Sequence, residues 1–164
     1  MKRQLAATFL LFVSPFLFVA CISSLLKENP PTFSSEVEYK EPAAPFAKFK
    51  KSVYPSWKSQ KTGNVISIVS DCDPNSSLSL AQLHRIVEDS LTGLQVVNEE
   101  GAFLQDKPAL VRNIKGQLDG IDIELVSVSF RRKSCGYVSS LSGKVGSVQQ
   151  DRTEFDRFNQ NLKF

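Results

Sequence analysis

ALVRNIKGQL, then DG, then IDIELVSVSFR: residues 109–131 decide the fold of this 164-residue chain. Two β-rich arms, Ala109–Leu118 and Ile121–Arg131, flank Asp119-Gly120. That dipeptide favours the type I′ turn of a hairpin, because both central residues take positive φ. In the second arm Ile121, Ile123 and Leu125 keep one alternating phase, and Val126, Val128 and Phe130 keep the other. A β-bulge near Leu125-Val126 is the expected reconciliation. Tyr137–Leu141 reads as a strand pairing back after a turn over Arg131–Gly136, with room to extend towards Val148. Ahead of the hairpin, Leu94–Asn98 is a short strand that precedes Glu99-Glu100-Gly101.

Working outward, Trp57-Lys58 leads to the turn signal Thr62-Gly63-Asn64 and the β-rich run Val65–Val69. A polar loop follows, Asp71 to Ser77. Leu80, Leu83, Val87 and Leu91 then fall on one face of a helix, with Gln82, Arg85 and Asp89 opposite. Ser79 and Gln82 have capping-box spacing, Ser77 is an equally fair N-cap, and Gly93 is placed to end the helix. At the C-terminal end Asp151 and Glu154 have the spacing of an acidic cap, and Phe155, Phe158 and Leu162 form an apolar stripe. The expected fold class is therefore α+β: a largely antiparallel sheet of about 5–6 strands covered by two amphipathic helices. At about 112 residues, Val53–Phe164 can close one core.

This layout resembles the fold shared by PsbP, the DcrB-type envelope lipoproteins and the yeast Ran-binding Mog protein. Trp57 before the first core strand, the Leu80–Leu91 helix, the hairpin through Asp119-Gly120 and the terminal Phe155-x-x-Phe158 helix carry the likeness. It covers residues 53–164. The resemblance implies a binding or accessory subunit, and it brings no catalytic motif that can be transferred residue by residue.

The N-terminus gives an address. Lys2 and Arg3 precede an apolar run from Leu5 to Val19, the arrangement of a signal peptide over residues 1–20. Phe18-Val19-Ala20-Cys21 resembles the lipobox of bacterial lipoproteins, with phenylalanine where leucine is usual. By that resemblance Cys21 is lipidated and anchors the chain to the membrane. Ile22 in place of aspartate points to the outer membrane, with the domain in the periplasm. The rival readings are a soluble exported protein and an uncleaved N-terminal anchor. Residues 21–52, with Pro30-Pro31 and Pro42-Ala43-Ala44-Pro45, read as a lipidated N-terminus and flexible linker; Phe33, Phe46 and Phe49 are its exceptions, and Phe46 and Phe49 are candidates to touch the domain.

Composition adds limits. Removing Lys2 and Arg3 from the 20 basic residues leaves 18 against 17 acidic ones, so the mature chain is near neutral and no nucleic-acid partner is expected. Arg131-Arg132-Lys133 reads as a solvated turn. With Cys21 lipidated, Cys72 and Cys135 remain as an even pair in an oxidising compartment. Bridging them closes about 63 residues, worth roughly 4 kcal/mol in chain entropy; the alternative is two buried thiols acting as small apolar residues.

Candidate chemistry is sparse. Asp71-x-Asp73-x-Asn75 opens like an EF-hand loop, but Ser76 stands where glycine is required and Gln82 where glutamate is. The ordinary role for those carboxylates is to complement a helix N-terminus. His84 is the single histidine and reads as a packing residue. Glu99-Glu100 and Asp119/Asp122 fall at expected turns and strand ends, and Trp57 and Tyr137 read as core fillers. No G-x-S-x-G, P-loop or G-x-G-x-x-G occurs. No catalytic residue, metal ligand or cofactor is therefore assigned. The leading function is a non-enzymatic cell-envelope lipoprotein that binds a protein partner. Behind it stand a small-ligand or Ca/Mn-binding lipoprotein and an envelope hydrolase.

Overall fold

The computed structural model describes residues 33–34, 36–73 and 76–164. The signal peptide, Cys21 and the start of the linker lie outside the described residues, as do Pro74 and Asn75. Among the described residues seven strands form one antiparallel sheet, where about 5–6 were expected. In chain order they are β1 (Phe46–Lys48), β2 (Ser56–Ser59), β3 (Val65–Asp71), β4 (Thr92–Leu104), β5 (Lys107–Leu118), β6 (Ile121–Arg132) and β7 (Cys135–Lys144). The spatial order is β1-β2-β3-β7-β6-β5-β4, so β7 is inserted between β3 and β6. Helical turns α1 (Leu80–Leu83) and α2 (Arg85–Glu88) follow β3, and helix α3 (Arg152–Gln160) follows a 3₁₀ turn over Val148–Asp151.

The β5–β6 hairpin forms as expected, with Asp119 at φ 51° and Gly120 at φ 77°. The bulge does not. Register runs unbroken from Ala109↔Phe130 to Leu118↔Ile121. The phase change has another cause: the two ends of β6 bury opposite faces. Val126, Val128 and Phe130 lie in the core under α3. Leu125 belongs to the other face with Ile123 and Ile121, while Ser127 and Ser129 continue that face beneath α1. Pattern reading assumes that a strand has one wet face, and β6 has none along its inner half.

The α3 face is a hydrocarbon and aromatic core. Trp57, Ile66, Ile68, Phe130, Tyr137 and Leu141 meet Phe155, Phe158 and Leu162 there. Phe130 stacks on Tyr137 with centroids 5.3 Å apart, and Trp57 packs against Phe158 at 5.5 Å. Residues expected to be linker belong to this core. Val37 and Phe46 are buried, Phe33 and Tyr39 pack against them, and β1 pairs with β2. Glu38 and Lys163 exchange two backbone hydrogen bonds, at 3.1 and 2.9 Å. The folded unit thus takes in residues well before Val53.

Three local expectations also change. β4 is far longer than Leu94–Asn98, running through Glu99-Glu100-Gly101 to a turn at Gln105-Asp106, both at positive φ. Gly93 is the second residue of this strand instead of closing the helix; one register shift spans it, between Thr92 and Gln95, and another follows between Val96 and Asn98. Asp151 makes no helix cap; it accepts hydrogen bonds from Thr62 Oγ1 (2.5 Å) and Asn64 Nδ2 (2.8 Å), fastening the β2–β3 turn to the start of α3.

Candidate functional site

The second sheet face differs in kind. Ser79 caps α1 through a capping box with Gln82, as the spacing indicates. The expected continuous helix over Leu80–Leu91 is broken into two turns at His84, whose N–H turns to the Gln82 carbonyl. Gly136 lies under Leu83, and a β-carbon there would collide with the Leu83 methyl Cδ2. The helical pair can therefore settle close on the sheet, where small side chains leave room for it.

Beneath the pair runs a polar seam. His84 is 0% exposed, and its Nδ1 is 2.7 Å from Ser127 Oγ, itself 0% exposed. Burial, then the nearby Arg112 charge, lowers the imidazole pKa from 6.5 to about 4, against smaller opposing effects of Glu99 and the Leu110 backbone. The ring is neutral at pH 7. Arg112, opposite Ser127 across the β5–β6 ladder, reaches Glu88 of α2 at 3.1 Å and pairs with Glu99 of β4. Burial pushes the guanidinium pKa down, but hydrogen bonds to Glu99 and Glu88 outweigh it and leave it raised. Ser67 and Ser140 share a hydrogen bond at 2.8 Å, and Ser129 donates to the Leu80 carbonyl at 2.8 Å. A serine–histidine contact invites a catalytic reading, but neither side chain reaches solvent.

Beside the seam lies a groove of about 440 Å³. It exists because α1 and α2 span only nine residues in all, His84 included, whereas β5 and β6 each run for 12. The ends of both strands project beyond their cover. Ile86, Val87 and Leu91 form one wall, and Leu118, Ile121 and Leu125 line it from the hairpin. Ser67, Ser140 and Ser142 place hydroxyls along the lining, and among the described residues Lys144 is its one charged residue.

The third feature is β4 itself. It is an outer strand, and among the described residues nothing pairs with its free edge. Val96 is 57% exposed and Phe103 78%, with Leu94 and Val97 also open to solvent. Long exposed edges carrying apolar residues are templates for strand addition.

Sequence-derived candidates are distributed as follows. Cys72 and Cys135 are bridged, with Cα atoms 4.2 Å apart. The Asp71 carboxylate does not complement a helix; it accepts from Ser76 Oγ at 2.6 Å and the Asp73 N–H at 3.2 Å, bracing its own loop. Among the described residues, no three of His, Cys, Asp and Glu converge as metal ligands. Trp57 and Tyr137 are core residues. Glu99 is in the seam, not at a turn, and Asp122 accepts from Gln117 Nε2 at 2.9 Å. Lys133 pairs with Glu36 at 3.3 Å, and Arg131 donates to the Leu78 carbonyl, so the short basic run is partly used within the fold. Sequence reading missed Ser127 and Arg112, because both occupy positions that alternate into an apparently wet face. Among the described residues, no helix is long and apolar enough to cross a membrane.

No protein-family model and no curated protein matches the chain. Solved structures do. PA94 of Pseudomonas aeruginosa, a protein of unknown function, is 14% identical; the match covers 84% of this chain and 87% of that one, with a TM-score of 0.52. The cyanobacterial PsbP (CyanoP) of Synechocystis is 9% identical over 80% and 89% of the two chains, with a TM-score of 0.54. LpqN, involved in cell envelope biogenesis in Mycobacterium tuberculosis, is 8% identical over 77% and 82%, with a TM-score of 0.56. At such identities the likeness is one of fold, and the fold of this chain is PsbP-like.

Proposed function

We propose that this chain is a non-enzymatic accessory protein of the bacterial cell envelope that binds a protein partner along β4. The observation carrying the reading is the free outer edge of β4, 13 residues long, with Leu94, Val96, Val97 and Phe103 exposed on it. A partner strand would satisfy the edge amides and carbonyls and cover those side chains together. The envelope part of the proposal rests on the signal-like Lys2-Arg3 and apolar run, the lipobox-like Phe18–Cys21 and the disulfide. The role of LpqN in envelope biogenesis supports the same setting. Lipidation at Cys21 would leave the domain in the periplasm, on an outer-membrane anchor if Ile22 directs sorting.

The test is site-specific photo-crosslinking in intact cells, with the reactive side chain at Val97 and, as control, at Lys61 on the opposite side of the sheet order. The expected result is a discrete adduct from Val97 that is lost when Val96→Lys and Phe103→Lys are added. No Val97 adduct under several growth conditions, or equal adducts from both positions, would refute the β4 interface. Intact mass of the membrane-extracted protein tests the anchor separately: the expected chain begins at acylated Cys21, and an unacylated chain removes it.

A further inference from the structure

We propose that the groove between α2 and the tip of the β5–β6 hairpin is a binding site for a single alkyl chain bearing an anionic end group. This site is independent of the β4 edge reading.

Three observations converge on that chemistry. The groove is lined on both sides by aliphatic groups, Ile86, Val87 and Leu91 facing Leu118, Ile121 and Leu125. Among the described residues no aromatic side chain lines it, so these walls offer no stacking surface for a planar ring. Its volume of about 440 Å³ falls in the lower half of the roughly 300–1,000 Å³ usual for ligand sites. A slender chain fits these walls better than a bulky ring system.

The second observation is charge. Lys144 stands opposite Ile123 at the end of β7, and cross-strand partners share a face. It is the one ionisable residue of the lining, and among the described residues it makes no ion pair. A lone ammonium at the end of an apolar trough favours a carboxylate or phosphate there and disfavours a cationic head.

The third is the cost of leaving the groove empty. Leu118 and Ile121 are 40% and 49% exposed, both at the hairpin tip where a polar surface would serve solubility better. Leu118 and Ile121 belong to neither buried apolar cluster among the described residues. Two serines of the lining, Ser67 and Ser140, stay compatible with an alkyl chain because their hydroxyls bond each other.

Calorimetry on the folded, oxidised protein tests this with octanoate, decanoate and dodecanoate below their micellar concentrations. Each added methylene that enters the groove should tighten binding about fourfold. Dodecanoate should bind one per chain and better than dodecyltrimethylammonium. Lys144→Glu should weaken dodecanoate about tenfold or more while leaving dodecanol unchanged, and Leu118→Glu, at an exposed position that folding tolerates, should weaken both. Repeating the titration with a lysophospholipid of the same chain length separates the free acid from a membrane-derived source; tighter binding of either identifies which head group the lysine selects. Affinity independent of chain length, equal binding of the cationic amphiphile, or no effect of Leu118→Glu overturns the proposal.

Discussion

The two faces of this sheet are built to opposite rules. Under α3, Trp57, Phe130, Tyr137, Phe155 and Phe158 interlock with aliphatic residues. Under α1 and α2, the small apolar cluster of Val69, Leu83 and Val138, with Ile114 and Leu125 also buried, is interleaved with serines, a histidine and a Glu88–Arg112–Glu99 ion-pair line. The first face stabilises through area removed from water. The second depends on each buried polar group finding its partner, because an unpaired one costs more than a made bond returns. Stability and potential binding surface are thus separated across one sheet, with the groove confined to the polar face.

Perturbing each face should expose that division. The largest expected effect is on the aromatic side: Phe155→Ala removes a fully buried ring and should cost about 3–5 kcal/mol, read from urea denaturation. A loss near 1 kcal/mol would mean that α3 is not the main stabilising cover. Next is the bridge at the margin of the same face. Replacing both Cys72 and Cys135 by serine frees a 63-residue loop and should cost roughly 2–4 kcal/mol, with native circular dichroism retained below the midpoint.

On the polar face the signature is pH. An unfolded histidine takes up a proton below about pH 6.5, whereas His84 holds out to about 4. The unfolded state therefore binds more protons between these values, and stability falls as pH drops through that window. Arg112 opposes protonation and Glu99 favours it more weakly, so the net direction is set by burial and the cation. Between pH 7 and pH 5 the loss should be about 2 kcal/mol. His84→Asn, which keeps an amide opposite Ser127, should flatten that slope whatever it does to the absolute stability; an unchanged slope would assign the pH dependence elsewhere. The smallest effect should come from Ser67→Ala, about 1 kcal/mol for one hydrogen bond to Ser140. A larger cost would show that the serine line behaves as a cooperative network.

What the sequence disclosed follows the same division. The Asp119-Gly120 hairpin was legible because its turn needs two positive-φ residues, and the α3 stripe because Phe155 and Phe158 recur at helical spacing. Glu99-Glu100-Gly101 has the composition of a turn while the real turn at Gln105-Asp106 carries no glycine, so the pattern ends β4 at Asn98. Phe46 stands out as an aromatic among prolines, but the three-residue strand it begins has no period to detect, and Val37 carries no signal that separates it from a linker. The seam was invisible for a deeper reason. Ser127, Ser129 and Arg112 are polar at alternate positions, and that is the pattern of a solvated face; only the helical pair, laid over them by the chain's return, makes them interior. The groove depends on where that pair stops, which no local signal specifies.

The Glu38–Lys163 bridge has a consequence for the order of events during synthesis. Its two residues come from opposite ends of the folded unit, and Tyr39 and Trp57 likewise pack on Phe158. A nascent chain can zip β4 to β5, β5 to β6 and β6 to β7 as each emerges, because these pairings are sequential. Residues 36–46 leave the ribosome before any of them, yet have no finished seat until α3 and the residues behind it arrive. The earliest part of the unit to be made is the last that can be locked, so a chain stalled before Phe155 would hold a formed sheet with one whole aromatic face open to whatever chaperone meets it.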